Sequence, residues 1–200
     1  MQGVFDFYGN SSPRRERPER LFFALLPDAG TAAQIKEFSE RFFRDHRLWG
    51  SRIRQDRLHV SLHWMGDYPR LRSKFVYAAR QAARRISLSP FPLTFRLVKS
   101  FEGLPTKRGR PHRRPLVLLG EGENVFRLHE QLGAALRYSG LRASPHFVPH
   151  MTLLYGPQAV PLQSIGPIRF VVEEFTLIHS RVGLTQYHLL DRWHLSAVQH

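Results

Sequence analysis

Apolar and polar positions recur with two different periods along this chain, and the change of period marks its elements. RLFFALLPD, residues 20–28, is a continuous apolar run stopped by Pro27, which predicts a buried strand. From Thr31 to His46 the apolar residues Ile35, Phe38 and Phe42 keep helical spacing, and Trp49–Gly50 ends that element. A strand follows at 57–64, with GDYP at 66–69 as its turn. A second helix is predicted from Leu71 to Ile86, with Phe75, Ala78, Ala79, Ala82 and Ile86 as its apolar stripe. FPLTFRLVKSF, 91–101, alternates Phe91, Leu93, Phe95 and Leu97, the pattern of a half-buried strand. PLVLLG at 115–120 is another buried strand. Residues 123–139 form a third helix, with Leu128, Leu132 and Leu136 inward and Gly140 as its stop. Strands are also predicted at 150–155, 168–180 and 186–195. The result is an α+β chain in which each half carries strands, a helix, and then a strand ending near a glycine, Gly66 or Gly156.

Two segments fall outside this pattern. Residues 1–19 are polar, Arg-rich and interrupted by Pro13 and Pro18, and read as a disordered basic leader before one domain at 20–200. GLPTKRGRPHRRP, 103–115, clusters cations among glycines and prolines and reads as an exposed basic loop. The 30 Lys and Arg residues against 16 Asp and Glu give a formal charge of +14, a field that attracts polyanions, nucleic acid foremost. The absence of cysteine excludes disulfides, thiolate zinc sites and cysteine nucleophiles, and fits a reducing cytoplasm. No apolar run approaches the length of a membrane span. Nothing in the sequence demands more than a monomer.

The chemistry lies in two strands far apart in sequence. LHVSLHWMG, 58–66, holds His59 and Ser61 with one spacer; PHMTLLYG, 149–156, holds His150 and Thr152 with one spacer. Strand alternation predicts that His59, Ser61 and His63 share one face, with Val60, Leu62 and Trp64 on the other. It likewise groups His150, Thr152 and Leu154 against Met151, Leu153 and Tyr155. Residues two apart on a strand stand ~6–7 Å apart, so imidazole and hydroxyl can touch one tetrahedral phosphate. Two such pairs facing each other supply the acid and the base that in-line displacement at phosphorus needs. A single His-x-Ser is common by chance and also suits an ordinary structural histidine. The pairing, each motif within an apolar strand, is what carries the inference.

HVSL at 59–62 and HMTL at 150–153 resemble the motifs of the two-histidine (2H) phosphoesterases, and the bacterial 2′-5′ RNA ligase-like, RNA 2′,3′-cyclic phosphodiesterase family in particular. Supporting stretches are RLFFALLPD, VKSFEG at 98–103, RPLVLLG at 114–120, FVPHMTLLYG at 147–156, and FTLIHS with the later Tyr187. The resemblance implies a bilobal duplicated fold, two antiparallel sheets flanked by helices around a central cleft. It implies hydrolysis of RNA 2′,3′-cyclic phosphate ends to 2′-phosphomonoesters without cofactor, with weak reverse ligation. By the same resemblance His59 is the acid for the departing 3′-oxygen and His150 the base for water, while Ser61 and Thr152 hold phosphate oxygens. The chain departs from the family in two places. Ser61 stands where threonine is usual, and Leu154 and Tyr155 stand where relatives carry a basic residue, so a phosphate-clamping arginine is missing from its expected place.

Further substrate-binding candidates are Tyr155, Phe23, Tyr187 and His63, with Phe22 and His146 as neighbours of the same region. Each has a structural reading: core packing for Phe22, Phe23 and Tyr155, and a hydrogen-bonded bystander for His63. His179, His188 and His194 lack metal-ligand spacing. Alternative functions are a phosphodiesterase acting on small cyclic nucleotides, such as an ADP-ribose cyclic phosphate, and a noncatalytic RNA- or nucleotide-binding module.

Overall fold

The computed structural model describes residues 18–103, 113–181, 183 and 187–196. The leader up to residue 17 and most of the basic loop lie outside the described residues. Strand β1 (Glu19–Leu25) leads through the N-cap Asp28, whose carboxylate accepts from the Thr31 amide at 2.9 Å, into helix α1 (Ala29–Asp45). A two-residue strand β2 (Ser51–Arg52) and a 3₁₀ turn (Gln55–Arg57) precede β3 (Val60–Tyr68). Then follow α2 (Ser73–Ala83), β4 (Phe91–Ser100), β5 (Arg114–Glu121), α3 (Glu123–Tyr138), β6 (His150–Gly156), β7 (Gln163–Val172), β8 (Glu174–Arg181) and β9 (Tyr187–His194).

The strands are antiparallel neighbours in the order β7-β4-β5-β6-β3-β1-β8-β9, with β2 beside β6. The order reads as two matching halves, β6-β5-β4-β7 and β3-β1-β8-β9. Between β3 and β6 a single residue pair, Val60 with Met151, carries the ladder from one half to the other. The two expected sheets are therefore two four-stranded halves touching at one point. α3 carries Leu128, Leu132 and Leu136 fully inward, and Ile35 and Phe42 do the same for α1, as their spacing requires.

Two predicted boundaries are corrected. Residues 168–180 are not one strand: the chain breaks at Glu173, β7 pairing with β4 in one half and β8 with β1 in the other. GDYP is not a turn at Gly66, because Gly66, Asp67 and Tyr68 continue β3 against Leu21, Arg20 and Glu19. The ladder is extended there by a two-pronged Arg20–Asp67 ion pair at 2.7 and 2.9 Å.

Phe23 is fully buried and packs against Phe175 and Trp193, with ring centroids 5.8 and 5.7 Å away. Phe23→Ala is expected to cost about 3–5 kcal/mol of stability by the usual transfer and cavity terms. Urea unfolding measures it, and a loss below about 1 kcal/mol would contradict this packing.

Candidate active site

The single joining pair explains why two distant motifs meet. Val60 and Met151 are the spacers of the two motifs, and they are direct antiparallel partners, both fully buried. Continued one residue either way, that register sets position 59 opposite 152 and position 61 opposite 150. That direction puts each histidine toward the other motif's hydroxyl residue, and the four lie in one cleft. All four side chains line one cleft of about 690 Å³, together with Arg20, Phe22, Arg52, Arg57, Trp64, Arg113, Tyr155 and Tyr187.

Both imidazoles are held the same way. His59 Nδ1 lies 2.8 Å from the Arg57 carbonyl, and His150 Nδ1 lies 2.7 Å from the Val148 carbonyl, each acceptor two residues upstream. A carbonyl only accepts, so both rings carry hydrogen on Nδ1. Neither Nε2 has a hydrogen-bond partner among the described residues. Aromatic rings fix the planes: Phe22 and Tyr187 lie 5.4 and 5.5 Å from His59, and Phe101 meets His150 edge-on at 5.0 Å. Burial pushes His59 down to about 4; the charges of Arg57 and His150 add to this, and the bond to the Arg57 carbonyl opposes it. This shift favours the neutral imidazole at pH 7.

The lining is not the one strict alternation predicts, because both motif strands are bulged. Against β1, the pairing passes from Ser61 to His63 and skips Leu62; against β5 it passes from Thr152 to Leu154 and skips Leu153. Each bulge inverts the facing of the residues just beyond it, and on β3 a second skip, at Met65, inverts it again. His63 turns inward and is fully buried, so it does not join the cleft. Trp64, predicted for the core, is 44% exposed and lines the cleft. On β6 Tyr155 comes to the cleft face and Leu154 is buried. Trp64 and Tyr155 sit at the same offset from their histidines, a correspondence between the halves.

His63 instead ties β3 to α3 and to the segment that follows α3. Its Nε2 lies 2.8 Å from the carbonyl of His129 on α3, its Nδ1 accepts from the Ser144 amide at 3.1 Å, and its ring stacks on His129 at 3.9 Å. His129 stacks in turn on Phe147 at 4.3 Å. α3 comes this close because residue 133 is glycine: a Cβ there would lie 3.0 Å from His63 Cε1. Burial pushes His63 down to about 4.

Of the other candidates, Tyr187 lines the cleft; Phe23 does not and belongs to the core, its place being taken by Phe22. His146 is exposed and outside the cleft lining. Arg57, Arg20, Trp64 and Phe101 were not singled out by sequence. The alternation of β1 could have indicated Phe22 and Arg20 together; nothing in the sequence indicated Arg57. A more apolar hollow of about 800 Å³ adjoins the cleft between α1 and residues 52–58, but it contains no histidine. Both histidine–hydroxyl pairs lie in the smaller cleft.

A duplicated fold that presents two histidine–hydroxyl pairs to one shared cleft defines a two-histidine phosphoesterase. The sequence model of the 2′-5′ RNA ligase superfamily matches residues 27–184, and the chain belongs to that superfamily. Among solved structures, Escherichia coli LigT complexed with ATP is 27% identical over 90% of this chain and 99% of that one, with a TM-score of 0.66. LigT complexed with 3′-AMP is 28% identical over 89% and 98%, also at 0.66. TT0787 of Thermus thermophilus, 24% identical over 90% and 100%, has the same fold with a TM-score of 0.69. No curated protein matches the chain. Among the described residues no helix is long and apolar enough to cross a membrane.

Proposed function

We propose that this phosphoesterase opens the 2′,3′-cyclic phosphate at the end of an RNA strand, leaving a 2′-phosphomonoester. The observation that carries the reading is the matched pair of imidazoles, both with Nδ1 tied to a carbonyl and Nε2 unpartnered, across the seam from each other's hydroxyl. His150 Nε2 takes a proton from water as its oxygen attacks phosphorus. The bond from phosphorus to the 3′-oxygen breaks, and His59 Nε2 gives that oxygen a proton. Ser61 and Thr152 donate to nonbridging oxygens and hold the phosphorus between the rings. Burial favours the neutral form of His59, and the charge of a phosphate beside it favours the proton that the leaving oxygen takes. The two imidazoles supply both proton transfers, and the mechanism calls for no cofactor. Run backwards with a 5′-hydroxyl in place of water, the same steps join strands through a 2′-5′ bond.

Exposed Trp64 and the ring of Tyr155 offer faces for a terminal base, and the +14 charge favours a polyanionic strand. Nucleotides bound by LigT are consistent with a nucleotide substrate. An oligonucleotide with a 2′,3′-cyclic end is expected to yield the 2′-phosphate, with a rate unchanged by EDTA. Emergence of the 3′-phosphate, or loss of the rate in chelator, would reject the scheme. A substrate held through several phosphates weakens steeply with salt. Equal salt dependence for a cyclic mononucleotide and the oligomer would therefore favour a small nucleotide as the natural substrate.

A further inference from the structure

We propose that Arg57 is the cation that grips the substrate's phosphate, replacing the basic residue missing from β6. The proposal deepens the reading above and rests on it for the identity of the anion.

Arg57 closes the 3₁₀ turn that delivers the first motif. Its carbonyl orients His59, and its side chain lines the same cleft. The guanidinium lies over the Tyr187 ring, 4.4 Å from the centroid, and that ring meets His59 edge-on. Arg57, Tyr187 and His59 thus form one contiguous cluster. A guanidinium carries five N–H donors and no acceptor, and buried donors are normally matched. Arg57 Nε is buried and has no hydrogen-bond partner, and no carboxylate pairs with the guanidinium among the described residues. A buried, unmatched donor in a cleft beside an acid–base group fits an anion that arrives with the substrate.

The other cations of the cleft are differently placed. Arg20 is held in both prongs by Asp67. Arg52 lies over Phe43 at 5.3 Å and Arg113 over Tyr155 at 5.2 Å, and both are exposed. Among the described residues, Arg57 is the cleft arginine that is half-buried, unpaired with a carboxylate and in the immediate neighbourhood of a proposed acid–base residue. A guanidinium there offers two parallel N–H groups to the nonbridging oxygens, where charge accumulates as the ring opens.

The test compares the full-length wild type with Arg57→Gln, Arg57→Lys and Arg113→Gln. The control is Arg54→Gln, at an exposed residue that pairs with Asp56 outside the cleft. Calorimetric titration with a nucleoside 2′-monophosphate is expected to show binding to the wild type and a loss of about 10- to 100-fold in Arg57→Gln. Arg57→Lys should show a smaller loss, and the control should stay within about twofold of wild type. Turnover of the cyclic-ended oligonucleotide should fall about 100-fold in Arg57→Gln, mainly in kcat. Undiminished binding in Arg57→Gln with an unchanged Tm would overturn the proposal, as would a larger loss in Arg113→Gln. If Arg57→Gln does not fold, Arg57→Lys decides, and wild-type affinity and kcat in that variant count against a forked contact. A wild type that binds the monophosphate through Arg57 yet opens no cyclic end would reject the hydrolase reading and leave the anion site standing.

Discussion

His59→Ala and His150→Ala are each expected to cut turnover of a 2′,3′-cyclic end by about 10³-fold or more, because each removes one of the two proton transfers. The double variant should be little worse than either single one, since the groups act in one step and their effects do not add. Single-turnover assays on a cyclic-ended oligonucleotide measure both statements. Retention of a tenth of the wild-type rate in either variant would contradict the scheme. The two roles separate with a changed leaving group. A substrate carrying sulfur at the 3′ position expels a thiolate that needs no proton, so it should restore activity to His59→Ala and leave His150→Ala inactive. Restoration of His150→Ala alone would exchange the roles.

The second large effect concerns acid. His63 titrates near the ordinary value of ~6.5 in an unfolded chain and near about 4 in the fold. Between those values the unfolded chain holds a proton that the native protein refuses. Stability is therefore undiminished above about pH 6.5 and falls as the pH drops toward 4, by about 3 kcal/mol for this residue alone. The geometry gives the reason independently. His63 Nδ1 accepts from the Ser144 amide, so a proton added there sets one donor against another. Burial lowers the affinity of His59, His129 and His179 for protons as well, which steepens the same loss. The hydrogen-bonded or paired carboxylates Asp28 and Asp67 are held below their ordinary value of 3.8, so they act only at lower pH. Urea midpoints from pH 7 to pH 4 should show the decline. His63→Gln keeps a donor and an acceptor without a titrating group, and should be weaker at pH 7 but flatter across this range. A slope equal to that of wild type would place the acid sensitivity elsewhere.

Much of this molecule was legible in its sequence, and the failures share one physical cause. The apolar stripes of α1 and α3 were legible because a helix interrupts its period rarely. The two motifs were legible because histidine and hydroxyl both precede the bulge in each strand. Beyond the bulges at Leu62 and Leu153, alternation no longer holds. It misplaced His63 and Trp64, left Tyr155 between two readings, and gave Leu97 the buried place that Val98 occupies after a similar skip at Arg96. Bulges depend on how partner strands fit, which no single strand encodes. The same holds for the break at Glu173, whose flanking runs look continuous but belong to opposite halves. Phe22 and Phe23 could not be told apart until the register of β1 against β3 was known. Arg57 was hidden because its significance comes from Tyr187, distant in sequence.

The placement of β8 has a consequence for the chain as it is made. β1 sits between β3 and β8, yet one neighbour follows it closely while the other is encoded after the whole opposite half. On the ribosome, β1 can gain β3 early and must wait for residues 174–181 before its outer side is covered. A nascent chain that stalls before Glu174 therefore presents Leu21–Leu25 as an uncovered apolar border. Such a border recruits strands from other chains, so truncation before this point should give aggregates rather than a smaller enzyme.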